Sequence, residues 1–138
     1  MIYTEITNKY IQTLESDNTH QNNGAELQFY GRVRALEKGR LIQGLEYEFY
    51  EGMAEKELQK FAKLTCKKFS INKFYCVHRV GMVPVGEASL LVAIWTKHRT
   101  DGLNAMAWFI SQLKKDVPIW KNAVLEDGRK IPSDCEHC

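Results

Sequence analysis

Between residues 25 and 34, Ala25, Leu27, Phe29, Gly31 and Val33 alternate with Glu26, Gln28, Tyr30, Arg32 and Arg34. A period of two puts the first set on one face of a strand and the polar set on the other. After a turn at Glu37-Lys38-Gly39-Arg40, the alternation resumes through Leu45, Tyr47 and Phe49 in residues 41–50. The two strands are therefore expected to pair as a hairpin or to be near neighbours in one sheet. The period then changes. Ala54, Leu58, Phe61, Ala62, Thr65, Cys66 and Phe69 recur at helical spacing, which predicts an amphipathic helix over residues 54–69.

A third long strand is expected over 73–80, ended by Gly81, Pro84 and Gly86. Residues 87–96 are almost continuously apolar, which fits a central strand covered on both faces. Thr100 and Asp101 are suited to cap a helix over 101–115. At the other end, residues 2–7 suit a short strand, 9–14 a helical turn and 16–24 a polar loop. Pro118 and the Asp127-Gly128 turn divide a tail, about 122–138, expected to be irregular. This order predicts an α+β fold in one domain over residues 1–138.

A chain of 138 residues can bury a core without disulfide staples. A net charge of +2 argues against a polybasic nucleic-acid binder, so any anion site must come from local clustering of the 19 Lys and Arg. No apolar run reaches membrane-spanning length, and the first residues lack the basic and apolar regions of a secretory signal. A cytoplasmic setting with reduced thiols is expected, since of Cys66, Cys76, Cys135 and Cys138 only the last two are close in sequence. Cys135-Glu136-His137-Cys138 has the look of a metal motif, but no second Cys/His pair with matching spacing completes a zinc site, so no metal is assigned. No phosphate-binding glycine loop is present, and no nucleotide cofactor is implied.

The candidate chemistry is cationic. Lys114 follows Ile110 by four residues, Ala107 by seven and Leu103 by eleven, which places it near an apolar stripe of the second helix. Spacing alone favours a snorkelling lysine at a helix C-terminus. The functional alternative is an ammonium at a pocket edge, its pKa lowered by neighbouring cations so that it can share protons. His98-Arg99 stands between a strand and a helix N-terminus, a junction that suits anions. A wet surface loop accounts for the pair equally well. Arg34 sits on the polar strand face, where solvation is its default fate. In His78-Arg79 one side chain must face inward, so His78 reads first as a structural histidine.

Several stretches, in order, resemble the large, catalytic subunit family of molybdopterin synthase. They are Gly24-Ala25 with Phe29-Tyr30-Gly31-Arg32-Val33-Arg34, then Leu45-Glu46-Tyr47-Glu48 with Tyr50 and Met53-Ala54. His78-Arg79-Val80-Gly81, Val85-Gly86-Glu87, His98-Arg99, Leu113-Lys114, Val117-Pro118-Ile119-Trp120-Lys121 and Asp127-Gly128 follow. The resemblance implies an α/β-hammerhead-type fold with a mostly antiparallel sheet and packed helices. It also implies a homodimer of large subunits, each joined by a small ubiquitin-like subunit bearing a C-terminal thiocarboxylate. The implied reaction passes that sulfur to cyclic pyranopterin monophosphate, forming the dithiolene of molybdopterin without a metal or other cofactor in the large subunit.

By the same resemblance, Lys114 and Lys121 match the family's active-site lysines, and Arg34 its strand-end arginine. His98 and Arg99 match a pair that enters the site from the other protomer. Arg34, His98 and Arg99 are then expected to bind the phosphate and pterin, and Lys114 to contact the thiocarboxylate carbonyl. The chain departs from the family pattern at Asn122-Ala123, where an acidic residue usually stands two positions after the second lysine. A relative that only binds the ubiquitin-like subunit is the alternative. A nucleic-acid-binding domain is a third reading, weakened by the low net charge.

Overall fold

The changes of period along the chain set the order of its elements. The computed structural model describes residues 1–15 and 21–133. In order these form β1 (Ile2–Thr7), β2 (Ala25–Arg32), β3 (Leu36–Glu37), β4 (Arg40–Phe49), α1 (Met53–Lys68) and β5 (Ile71–Arg79). Then come β6 (Gly81–Pro84), β7 (Ala88–Thr96), α2 (Arg99–Asp116), β8 (Ile119–Leu125) and β9 (Lys130–Pro132).

One sheet has the order β1-β5-β7-β2, with β1 parallel to β5 and the other pairs antiparallel. All nine residues of β7 are buried, as its continuous apolar run requires. Both helices pack on one face, through Leu58 and Phe61 of α1 and Ala105, Phe109 and Leu113 of α2. Phe74 of β5 meets Phe109 edge-on, ring centroids 4.7 Å apart at 75°. Each large apolar side chain buried this way contributes about 1.5–3 kcal/mol. The other face is covered near Leu91 and Val77 by Ile11 and Leu14, whose segment has no regular structure. The helical turn expected over 9–14 is therefore absent. The segment is instead tied down where the Leu14 N–H donates to the Tyr30 hydroxyl at 2.8 Å.

The helices stop and start for local reasons. Gly52 precedes α1 at φ 86°, a conformation glycine adopts without cost, and its N–H donates to the Glu55 carboxylate at 2.9 Å. The second helix starts two residues earlier than expected. His98 is its N-cap, and Thr100 and Asp101 lie in the first turn instead of capping it. Asp101 still favours the positive end of the helix dipole. A Cβ on Gly102 would lie 2.5 Å from Leu27 Cδ1, so glycine lets α2 approach β2 closely.

The second sheet runs β3-β4-β8-β9, with β6 also paired to β4. Leu45, Val83, Ala123 and Leu125 fill its core. Three expectations are corrected here. The strands over 25–34 and 41–50 were expected to pair or to be near neighbours in one sheet, yet β2 pairs β7 in the first sheet and β4 pairs β8 in the second. The stretch containing Gly81 and Pro84 was expected to break the chain, yet it forms β6, whose one ladder to β4 leaves an edge that tolerates proline. The tail expected to be irregular supplies the last part of β8 and all of β9. Long-range pairing with β4 overrides its weak local pattern. One side-chain bond links the two ends of this strand order: the Ser133 hydroxyl, just past β9, donates to Glu37 Oε1 of β3 at 2.8 Å.

Candidate active site

Three connections between the two sheets set the site. Arg34 lies on the link from β2 to β3, anchored where the Gly86 N–H donates to the Val33 carbonyl at 2.8 Å. His78 and Arg79 end β5 just before the chain passes into β6. Lys114 and Lys121 flank the link from α2 to β8.

Lys121 stands directly opposite Tyr47 in the β4–β8 ladder, so both side chains share one face. On the alternate face, Trp120 opposite Glu48 is exposed and donates its indole N–H to that carboxylate at 2.7 Å. Tyr47 is buried and its hydroxyl donates to Ser89 Oγ at 3.1 Å; Ser89 in turn donates to the Gly31 carbonyl at 3.3 Å. The His78 ring lies 5.2 Å from the Tyr47 ring at 72°.

The electrostatics bring these groups together. Burial chiefly, then the Lys114 and Arg34 charges, push the Lys121 ammonium down to about 8, against an opposing pull from Glu37. Burial also lowers the pKa of Lys114, although much of that side chain reaches solvent. His78 is pushed down to about 4 by burial, with Lys121 and Lys114 lowering it further. Its Nδ1–H donates to the Arg79 carbonyl at 2.8 Å, which opposes the shift by more than either lysine adds to it. At neutral pH the imidazole is uncharged, behind a cluster of three cations.

The structure thus brings Arg34, Lys114 and Lys121 together. His98 and Arg99 are exposed at the other end of α2, about 22 Å from Lys114 at the helical rise per residue. They do not reach the same chain's lysines. The expected position of Lys114 is also refined. The buried stripe of α2 is Gly102, Ala105, Phe109 and Leu113, whereas Leu103 is exposed. Lys114 follows Leu113 at the edge of that stripe, on the flank.

Sequence reasoning missed Glu37, Tyr47 and Ser89. Tyr47 had a signal, since its parity with Leu45 and Phe49 turns it inward. Ser89 had one as well, since it lies in the run 87–96 expected to be covered on both faces, whereas Glu37 had none, because its burial depends on Ser133 at the far end of the second sheet. Among the described residues, no group of three or more His, Cys, Asp or Glu is placed to hold a metal. Cys76 is fully buried and burial pushes its thiol well up, which suits a core residue over a nucleophile. Cys135 and Cys138 lie outside the described residues.

Arg34, Lys114 and Lys121 form a cationic cluster where the two sheets meet, an arrangement suited to anions. The chain belongs to the MoaE protein family, whose model matches residues 4–116. It is 41% identical over 121 residues to the molybdopterin synthase catalytic subunit of Dictyostelium discoideum, covering 85% of this chain and 77% of that one. It is 38% identical over 100 residues to the subunit of the same name from Pyrococcus abyssi, covering 72% of this chain and 68% of the relative. A crystal structure of molybdopterin synthase from Staphylococcus aureus matches with a TM-score of 0.79 at 34% identity, covering 91% of this chain and 93% of that one. The α+β fold expected from the sequence is the fold of this family, and membership gives the chain an enzymatic role in molybdenum cofactor biosynthesis.

Proposed function

We propose that the chain is the sulfur-transferring subunit of a molybdopterin synthase. A small ubiquitin-like partner would present a C-terminal thiocarboxylate, and its sulfur would pass to cyclic pyranopterin monophosphate. Two transfers give the dithiolene. The observation that most supports this reading is the Lys114–Lys121–Arg34 cluster, in which burial and mutual repulsion lower the Lys121 pKa to about 8. Such a site keeps cations poised for anions and lets a lysine exchange a proton near neutral pH.

Both reactants are anionic, so fixed cations serve binding and chemistry together. Arg34 suits the substrate phosphate, for which its planar fork is adapted. Lys114 contacts the thiocarboxylate carbonyl, stabilises the oxyanion that forms there and assists proton transfer. Lys121 is the supporting cation behind it. Buried Tyr47, opposite Lys121 in the β4–β8 ladder, displaces water from one side of it.

His98 and Arg99 fit this scheme only if they serve a second protomer, because the length of α2 separates them from their own chain's lysines. A homodimer of these subunits, with a small partner on each, follows as part of the proposal. Reconstitution tests it: the protein is mixed with thiocarboxylated small subunit and cyclic pyranopterin monophosphate, and dithiolene is assayed. Product supports the reading. Tight binding of the small subunit with no product would make the chain a binding-only relative.

A further inference from the structure

Lys121 is crowded by like charges. Lys114 faces it from the end of α2 and Arg34 from the link after β2, and both disfavour its ammonium form. Tyr47 lies opposite on β4, its phenol raised by burial and further by Glu37, so it stays neutral. His78 from β5 is neutral as well. The acid that opposes these effects is Glu37.

Glu37 is only 6% exposed, although it occupies a two-residue strand beside a hairpin turn. Burying a carboxylate is costly unless cations and hydrogen bonds offset the loss of water. Ser133 supplies a hydrogen bond and ties the group to the site. Its hydroxyl donates to Glu37 Oε1 at 2.8 Å, while its N–H donates to the Lys121 carbonyl at 3.4 Å. One residue past β9 therefore joins the Glu37 side chain to the Lys121 backbone. This link brings an acid from one edge to the lysine's side of the site.

We propose that Glu37 is a positioning residue for the site: its buried carboxylate, held by Ser133, keeps Lys121 in its ammonium form between Lys114 and Arg34. The catalytic meaning rests on the sulfur-transfer reading, but the action on Lys121 does not. A purely structural latch would hold the two ends together without altering how Lys121 titrates.

The experiment is an NMR titration of the lysine side chains, with Lys121 assigned through Lys121→Arg, in the wild type, Glu37→Gln and Ser133→Ala. The wild-type Lys121 midpoint is expected near 8. Glu37→Gln should weaken its proton affinity by roughly twofold to tenfold, as loss of an opposite charge beyond ion-pair distance provides. Ser133→Ala should give a smaller drop in the same direction. An unchanged or raised midpoint in folded Glu37→Gln overturns the proposal. If that variant does not fold, an unchanged midpoint in Ser133→Ala does so. The pH–rate profile of dithiolene formation separates the two ideas. A midpoint that falls while the alkaline limb of the rate stays put leaves Glu37 acting on Lys121, and refutes the catalytic role of Lys121 instead.

Discussion

Lys121 and Tyr47 face each other across the β4–β8 ladder, which places an ammonium beside a buried phenol on one face of the second sheet. That position explains why Lys121 differs from a surface lysine. Water is displaced on one side, and Lys114 and Arg34 repel it on the other.

The first consequence concerns pH. Lys121 titrates near 8 in the folded chain against an ordinary 10.5, so the unfolded chain binds the extra proton between those values. Stability contributed by this group therefore rises with pH across that window. A Lys121→Met variant should melt higher than wild type at pH 7, and the gap should shrink as pH approaches 10.5. Catalysis should move the opposite way, falling as pH rises through about 8 if the ammonium is the active form. Melting curves and rates over the same pH series check both signs.

His78 predicts an acid sensitivity. Its imidazole is held down to about 4 against an ordinary 6.5, so protonation is taken up on unfolding within that interval. Stability should fall as pH drops from 6.5 toward 4, by on the order of 3 kcal/mol from this group. Between pH 6.5 and 4, the stability of wild type relative to His78→Gln in denaturant unfolding should fall by that amount, because the glutamine variant lacks that loss. Parallel pH dependences would argue against it.

The geometry of α2 predicts complementation between subunits. Arg99→Ala and Lys114→Ala should each be inactive alone if the two ends of the helix serve different sites. Mixing and exchanging them should create a site with both wild-type residues in each hybrid dimer. For random pairing of a symmetric dimer, that restores about a quarter of wild-type activity. No recovery after verified exchange would place the Arg99 contribution elsewhere.

Core packing offers a control. Phe109 is fully buried against Phe74, and Phe109→Ala should cost about 3–5 kcal/mol by urea unfolding. Leu103→Ala, at an exposed position of the same helix, should cost little in the isolated subunit.

The elements with strong periodicity were legible in the sequence. The helix expected over 54–69 is Met53–Lys68, and the apolar run expected over 87–96 is Ala88–Thr96. Strands that depend on distant partners were not. Ile119–Leu125 contains Trp120, Lys121 and Asn122, and becomes regular because β4 offers a ladder. Ala123 within it is fully buried in the core of the second sheet. The site divides in the same way. Lys114 was visible from helical spacing, although on the flank and not on the buried stripe. Lys121 was singled out by its motif, and Glu37 looked like an ordinary turn residue until Ser133 tied it to the far end of the sheet.

The central claim is that the clustered lysines drive sulfur transfer. The most direct test is a single-turnover reconstitution with thiocarboxylated small subunit and cyclic pyranopterin monophosphate, comparing wild type with Lys114→Ala. Wild type should form dithiolene, and Lys114→Ala should bind the small subunit with near-normal affinity yet form none. A Lys114→Ala protein that turns over at the wild-type rate would contradict the account.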